Sequence, residues 1–413
     1  MIRVNLLWTL SSAWFDRSSS QRLRLCLSAV HWFGWRLATG EGSGGGDIDV
    51  DVGCRALGRC QLPALRPLCG RGLVAMSGRV GAAEAEAAGP GVEVLKLSGV
   101  PGWGPGKSND LLLGLGGRGA SRHHLLYFPG DVQDYHDLMI RHPENVRWQQ
   151  WSLEEVAILL FHRFPNSHIW IIKASRMHLH KFNCYDNFVQ SNLFGAPEHS
   201  SDCRAFKHLY SLLMNGFKEA RTVLRSRTNT DGKSHDSFTA AHDEACSGHS
   251  KIANGLASKN DLSTPSLSGN YTEVENQKCT DPSLKFTLIG FSKGCVVLNQ
   301  LLYELNEAQK DKELAAFINN ITAMYWLDGG HAGGSNTWVT DPEILKGLAK
   351  TGIPVHAHVT PYQVRDGMRA WIGKEHMKFI RLLGEFGAKV TNQLHFENET
   401  PSLGNHFRVL QVF

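Results

Sequence analysis

A chain of 413 residues has room for one large α/β domain plus appended segments, and it is long enough to bury a sizeable core. Charged residues are 20% of it, and 43 Lys+Arg against 39 Asp+Glu leave a formal charge of only +4, too weak a bias for a nucleic-acid-binding surface. Nine cysteines without a C-x-x-C pair exclude a small disulfide scaffold or zinc ribbon, and the longest apolar runs, such as 156–161 and 321–327, fall well below the roughly twenty residues of a transmembrane helix.

Residues 1–90 read as a targeting leader and linker. In the first forty residues Arg3, Arg17, Arg22, Arg24 and Arg36 stand against the single acid Asp16 among serines and tryptophans, a composition that resembles a mitochondrial transit peptide. The Gly/Ala-rich text that follows has no periodic apolar face and predicts linker. From 91 to 413 short β-rich runs alternate with helical patterns, which predicts a mostly parallel central sheet flanked by helices. An N-terminal hairpin is expected at 92–97 and 111–115, then strands at 123–128, 168–174, 284–289, 321–327, 354–360 and 388–396. A helix starts at Ser152, whose spacing to Glu155 suggests a capping box, and another starts at Asp341-Pro342 and ends before Gly352. The patterns Phe206/Leu209/Leu213/Phe217 and 369–386 predict two more helices. Between 225 and 280, Ser, Asn, Thr, Asp and Lys dominate, so a long disordered insertion is expected inside a loop of the one domain.

The main chemical signal is Gly290-Phe291-Ser292-Lys293-Gly294, which follows the strand KFTLI and precedes a helix carrying Cys295, Leu298, Leu301, Leu302 and Leu305. That context predicts a nucleophile elbow, in which a serine hydroxyl is exposed on a tight turn near a base and backbone donors. One oxyanion donor is then the N–H of Lys293. The second is expected from the loop YFPGD, through the N–H of Asp131 or Val132, with Gly130 allowing close approach beside the substrate pocket. In the chain order Ser, acid, His, two acids qualify: Asp366, shortly after the strand PVHAHVT, is preferred, and Asp328, at the end of MYWLD, is the alternative. For the base, His406 on a loop after the final strand is preferred over His395 within that strand. His331, in the glycine-rich segment after Asp328, is expected at the pocket as a wall or a polar handle.

No metal or cofactor is expected. His178-Leu179-His180 with Cys184 lacks a carboxylate pair, and the glycines of 114–119 lead toward a strand with no Gly-Lys-Ser/Thr. The expected partner is a small acyl-containing substrate. The two function classes are a serine hydrolase acting on an ester, thioester or amide, and a hydrolase-fold protein that works by binding without turnover.

The motifs YFPGDVQDYH, SRMHLHKF, FGAPEH, FTLIGFSKGCVVLNQLL, MYWLDGGH, GGSNTWVT, HVTPYQVRD and NHFRV resemble the mitochondrial protein family named after human chromosome 2 open reading frame 69. The resemblance runs from about residue 122 to the C-terminus outside the insertion. It implies an α/β-hydrolase-like mitochondrial protein, expected in the matrix, that supports respiratory function and has its nucleophile at Ser292. The text from Met76 to Gly106 resembles the part just after that family's leader, so residues 1–75 read as an upstream extension.

Overall fold

The computed structural model describes residues 94–115, 121–202, 204–231 and 278–413. The leader and most of the expected insertion lie outside the described residues. Eight strands form the main sheet, numbered here in chain order: β1 Val94–Pro101, β2 Ser108–Gly114, β3 His123–Phe128, β4 Ser167–Ile172, β5 Lys285–Phe291, β6 Ile321–Leu327, β7 Val355–Val359 and β8 Val390–Leu394. Their spatial order is 1-2-4-3-5-6-7-8. Strands β1 and β2 form the antiparallel hairpin, β2 joins β4 antiparallel, and every later pairing is parallel. This is the α/β-hydrolase arrangement.

The helices are α1 His136–Arg141, α2 Leu153–Arg163, α3 Arg204–Asp231, α4 Cys295–Ala308, α5 Lys312–Asn319, α6 Pro342–Thr351, α7 Pro361–Val364, α8 Ala370–Glu385 and α9 Leu403–Val412. Strand alternation decides which of them each residue meets. Along β3, Leu125 and Tyr127 join Val156 and Leu160 of α2 and Val409 and Leu410 of α9 in one core cluster. Leu126 and Phe128 face the other way, into the larger cluster that α3, α4, α6 and α8 build with Leu213, Leu298, Leu348 and Phe379.

Local chemistry sets the ends of the elements. The Ser152 hydroxyl accepts from Glu155 N at 3.4 Å, but the reciprocal half of the capping box is absent, because Ser152 N donates to Gln149 O instead of to the Glu155 side chain. Asp341 accepts from Glu343 N and Ile344 N, Pro342 opens the first turn, and Gly352 closes α6 at φ +70°, as the sequence predicts. The expected insertion limits of 225–280 are too wide. Helix α3 continues to Asp231, and on the far side Cys279 is fully buried, its carbonyl accepting from Asn320 Nδ2 at 2.9 Å. Deleting only 233–276 and joining the ends by a short Gly/Ser linker is expected to leave a cooperatively unfolding protein within about 1 kcal/mol of the parent. A urea titration checks this, and loss of the cooperative transition would show that the insertion supplies core.

Several histidines are buried within this framework, and burial pushes them toward the neutral form. His168, His199, His208 and His358 are lowered to about 4, and His331 to about 3. In the unfolded chain a histidine titrates near pH 6.5, so between roughly 6.5 and 4 the unfolded state binds more protons than the native one. Their stabilising contribution is fully present above about pH 6.5 and is lost progressively as the pH falls, with a slope of about 1.4 kcal/mol per pH unit for each group. Urea midpoints measured at pH 7.5, 6 and 5 should therefore fall, while a flat profile would contradict neutral burial.

Candidate active site

The turn after β5 brings the nucleophile candidate to the carboxyl edge of the sheet. Ser292 has φ +50°, a left-handed conformation that non-glycine residues seldom adopt, and it opens the short 3₁₀ turn Ser292–Gly294 that leads into α4. The flanking glycines are there because nothing larger fits. A Cβ on Gly294 would lie 1.9 Å from Phe128 O, and one on Gly290 would lie 2.9 Å from both Cα and N of Cys295. The turn therefore wedges between β3 and its own helix, and strain at Ser292 is borne by tight packing on both sides.

Strands β5 and β6 are in register, with Leu327 opposite Phe291, so the next residue of each, Asp328 and Ser292, stand side by side at the sheet edge. Asp328 is fully buried and also left-handed, at φ +47°. Its Oδ1 accepts from Thr360 N at 2.7 Å, and its Oδ2 accepts from Thr360 Oγ1 at 2.6 Å. The same Oδ2 lies 2.6 Å from His406 Nδ1. With a carboxylate as acceptor, Nδ1 carries the proton and Nε2 is left with a lone pair, the tautomer that a general base requires. The His406 ring is buried, with its centroid 4.7 Å from that of Phe291 and 5.0 Å from that of Tyr362. Within the described residues the Ser292 hydroxyl forms no hydrogen bond, and so none with this ring.

Of the two acids weighed from sequence, the preferred one is corrected. Asp366 accepts from Met368 N at 2.8 Å and pairs with Arg369 Nε at 2.7 Å, capping the short turn Gly367–Arg369. It makes no contact with His406, and the histidine's partner is Asp328. His406 lies in the first turn of α9, not on a loop, because Ser402 caps that helix by accepting from Asn405 N at 3.1 Å. The alternative base, His395, follows β8 and shares a hydrogen bond of 2.9 Å with His358 Nδ1 through its Nε2. Those two rings continue as a stack toward His356 and Tyr325.

Gly130 comes as close to the nucleophile as expected, since a Cβ there would be 2.7 Å from Ser292 Cβ. Its N–H donates to Gln133 Oε1 at 2.8 Å, and the Tyr127 hydroxyl donates to the same oxygen. Val132 is corrected as an oxyanion donor: its N–H is used on Lys181 O at 2.7 Å. The N–H of Asp131 makes no such bond within the described residues. The Asp131 side chain accepts from Asn183 N at 2.8 Å, and burial pushes its carboxyl upward against the opposing pull of Lys293.

His331, expected as a pocket wall or a polar handle, has little left for the second role. Its Nδ1 accepts from Gly333 N at 3.0 Å and its Nε2 faces Asn336 O at 3.1 Å, so both nitrogens are spent on folding the loop after β6. Glu375 holds the same loop by accepting from the N–H groups of Asn336, Thr337 and Trp338. Sequence reading missed Glu375, and also Thr360, which fixes the buried carboxylate. No local pattern marks either residue, because each acts on a segment more than thirty residues away in the chain.

Among the described residues no group of three or more His, Cys, Asp or Glu is placed to hold a metal, and no helix is long and apolar enough to cross a membrane. His178 stacks with Phe182 and meets Phe194 edge to face, and His180 packs against His142 at a tilt.

The sequence pattern of the C2orf69 family matches residues 96–389. The human relative, Mitochondrial protein C2orf69, is 55% identical over 339 residues, covering 78% of this chain and 86% of its own. The Danio rerio homolog is 45% identical over 333 residues, covering 78% of this chain and 85% of its own. Among solved structures, a thermostable esterase is similar at a TM-score of 0.31 and 12% identity, over 77% of this chain and about 60% of its own length. With the family pattern spanning most of the chain and relatives this similar, the chain belongs to the C2orf69 family.

Proposed function

We propose that this chain is a mitochondrial serine hydrolase that cleaves a small ester, thioester or amide through an acyl-enzyme on Ser292. The observation that supports the reading is the buried Asp328–His406 pair, with Asp328 and Ser292 each following one residue of the register pair Leu327–Phe291. In this scheme the Ser292 hydroxyl attacks the substrate carbonyl carbon while His406 Nε2 takes its proton. The tetrahedral oxyanion accepts from the N–H groups of Lys293 and Asp131. Collapse breaks the bond to the leaving group, which receives the proton from His406, and a water activated by the same nitrogen releases the acid. Asp328 holds the ring and offsets the imidazolium charge in both half-reactions. The names of the relatives support the mitochondrial setting; a matrix location and support of respiratory function belong to the same proposal.

One observation favours the second reading, a fold that binds without turnover: the Ser292 hydroxyl is not hydrogen-bonded to His406. Hydrolase sites often tighten such contacts only around a substrate, so the hydrolase reading stands first. Release of p-nitrophenol from acyl esters of graded chain length, wild type against Ser292→Ala, tests it. Turnover that disappears in the variant supports the proposal. Equal rates in both would remove Ser292 as the nucleophile, and no turnover in either beside stable capture of an acyl ligand would favour binding alone.

A further inference from the structure

Lys293 follows the nucleophile candidate, and its side chain is fully buried. Lysine is seldom buried unless its charge is matched. Here the ammonium donates to Phe194 O at 2.7 Å, lies 3.7 Å from Asp131 Oδ2, and sits 5.9 Å from the centroid of the Phe182 ring. Phe194 and Phe182 belong to two small antiparallel ribbons between β4 and α3, formed by Arg176–His178 with Phe182–Cys184 and by Gln190–Ser191 with Pro197–Glu198. Their rings pack edge to face at 5.4 Å.

The same ribbons grip the loop that offers the second oxyanion donor. Asn183 N donates to Asp131 Oδ1, Asn183 Nδ2 donates to Gly130 O, and the Tyr185 hydroxyl donates to Pro129 O. Val132 donates to Lys181 O while held at φ +73°, a conformation that a β-branched residue keeps only when its surroundings enforce it. On the opposite side, a Cβ on Gly333 would lie 3.3 Å from Ala196 Cβ, so the ribbons also touch the loop after β6. Segment 176–198 thus bridges the elbow and the loops on either side of it.

We infer that Lys293 is a positioning residue: paired with Asp131 and bonded to Phe194, it clips the 176–198 ribbons and the oxyanion loop onto the elbow, fixing the two backbone donors for the carbonyl oxygen. The inference rests on the reading of Ser292 as the nucleophile. Packing alone would be served as well by an apolar side chain of similar length. The lysine adds a directional bond to a ribbon carbonyl and a charge facing the Asp131 carboxyl, whose other oxygen accepts from Asn183 N.

The test uses the full chain in four forms: Lys293→Met, Lys293→Arg, Asp131→Asn and the Lys293→Met/Asp131→Asn double variant. Two quantities are read, the second-order rate of fluorophosphonate labelling and amide hydrogen exchange at Val132 and Asn183. Lys293→Met and Asp131→Asn should each speed exchange at those two amides and slow labelling by at least about tenfold, as a shift of the donors by a fraction of an ångström would. The double variant should be no slower than the slower single one, because each change removes the same link. Lys293→Arg, which keeps the charge and a donor, should recover most of the rate. Exchange at Val132 and Asn183 unchanged with labelling within about twofold, or rates that multiply in the double variant, would overturn the inference. If the wild type itself is not labelled, the hydrolase reading fails, and exchange at Val132 and Asn183 alone decides whether the clip exists.

Discussion

Asp328→Asn is expected to slow covalent labelling of Ser292 by about 10⁴-fold while the protein stays folded. In the native site the carboxylate accepts three hydrogen bonds, from Thr360 N, Thr360 Oγ1 and His406 Nδ1. An amide has nearly the same shape but must present its NH₂ where one of those donors points. Facing His406, it would favour the tautomer with the proton on Nε2, the nitrogen that must receive the serine proton, and it offers no charge to offset an imidazolium. Asp366→Asn supplies the contrast, since that side chain caps a surface turn and pairs with Arg369. Its labelling rate should stay within a few-fold of wild type, and its stability within about 1 kcal/mol. Labelling rates measured beside melting curves separate the two carboxylates, and the reverse pattern would return the acid role to Asp366.

The second large effect is on folding. Gly294→Ala should destabilise the protein by more than about 3 kcal/mol or prevent its soluble expression. The added methyl would lie 1.9 Å from Phe128 O, a backbone atom of a central strand, so no side-chain rotation relieves the clash. Only separation of the elbow from β3 would make room, and that would break the packing around Phe128, Cys295 and Val296. Gly384→Ala is the control: it lies in α8 with nothing within 4 Å of the added methyl, and should be neutral or stabilising by up to about 1 kcal/mol. Urea midpoints of the two variants compare them directly, and a Gly294→Ala protein as stable as wild type would mean that the turn is not wedged.

These contrasts show where the sequence is legible. The elbow could be read because all its constraints are local: a strand, a turn that admits no Cβ on either side, and an amphipathic helix follow one another within about twenty residues. Most strand limits follow from similar local text, with β3 and β6 falling where periodicity places them. The acid was harder, because whether Asp328 or Asp366 meets the histidine depends on the register between parallel strands, which no short pattern encodes. A local hint was present: an aspartate closing a strand before Gly-Gly suits a left-handed turn, and Asp328 adopts one. Val132, His331 and His395 share one feature that no local pattern shows. Each has its polar atoms taken by a partner fixed by tertiary folding or by a loop closure, namely Lys181 O, the 333–336 backbone and His358. For His406, the helix could have been anticipated from Ser402, which stands three residues before Asn405 as an N-cap does.

The central claim is that Ser292 is a nucleophile activated by His406 and Asp328. The most direct measurement is fluorophosphonate treatment of the purified full chain followed by peptide mass mapping. One phosphonyl adduct is expected on the peptide containing Ser292, absent in Ser292→Ala and strongly slowed in His406→Ala. An adduct that persists in Ser292→Ala, or a wild-type Ser292 peptide that stays unmodified under conditions that label a serine esterase to completion, would contradict it.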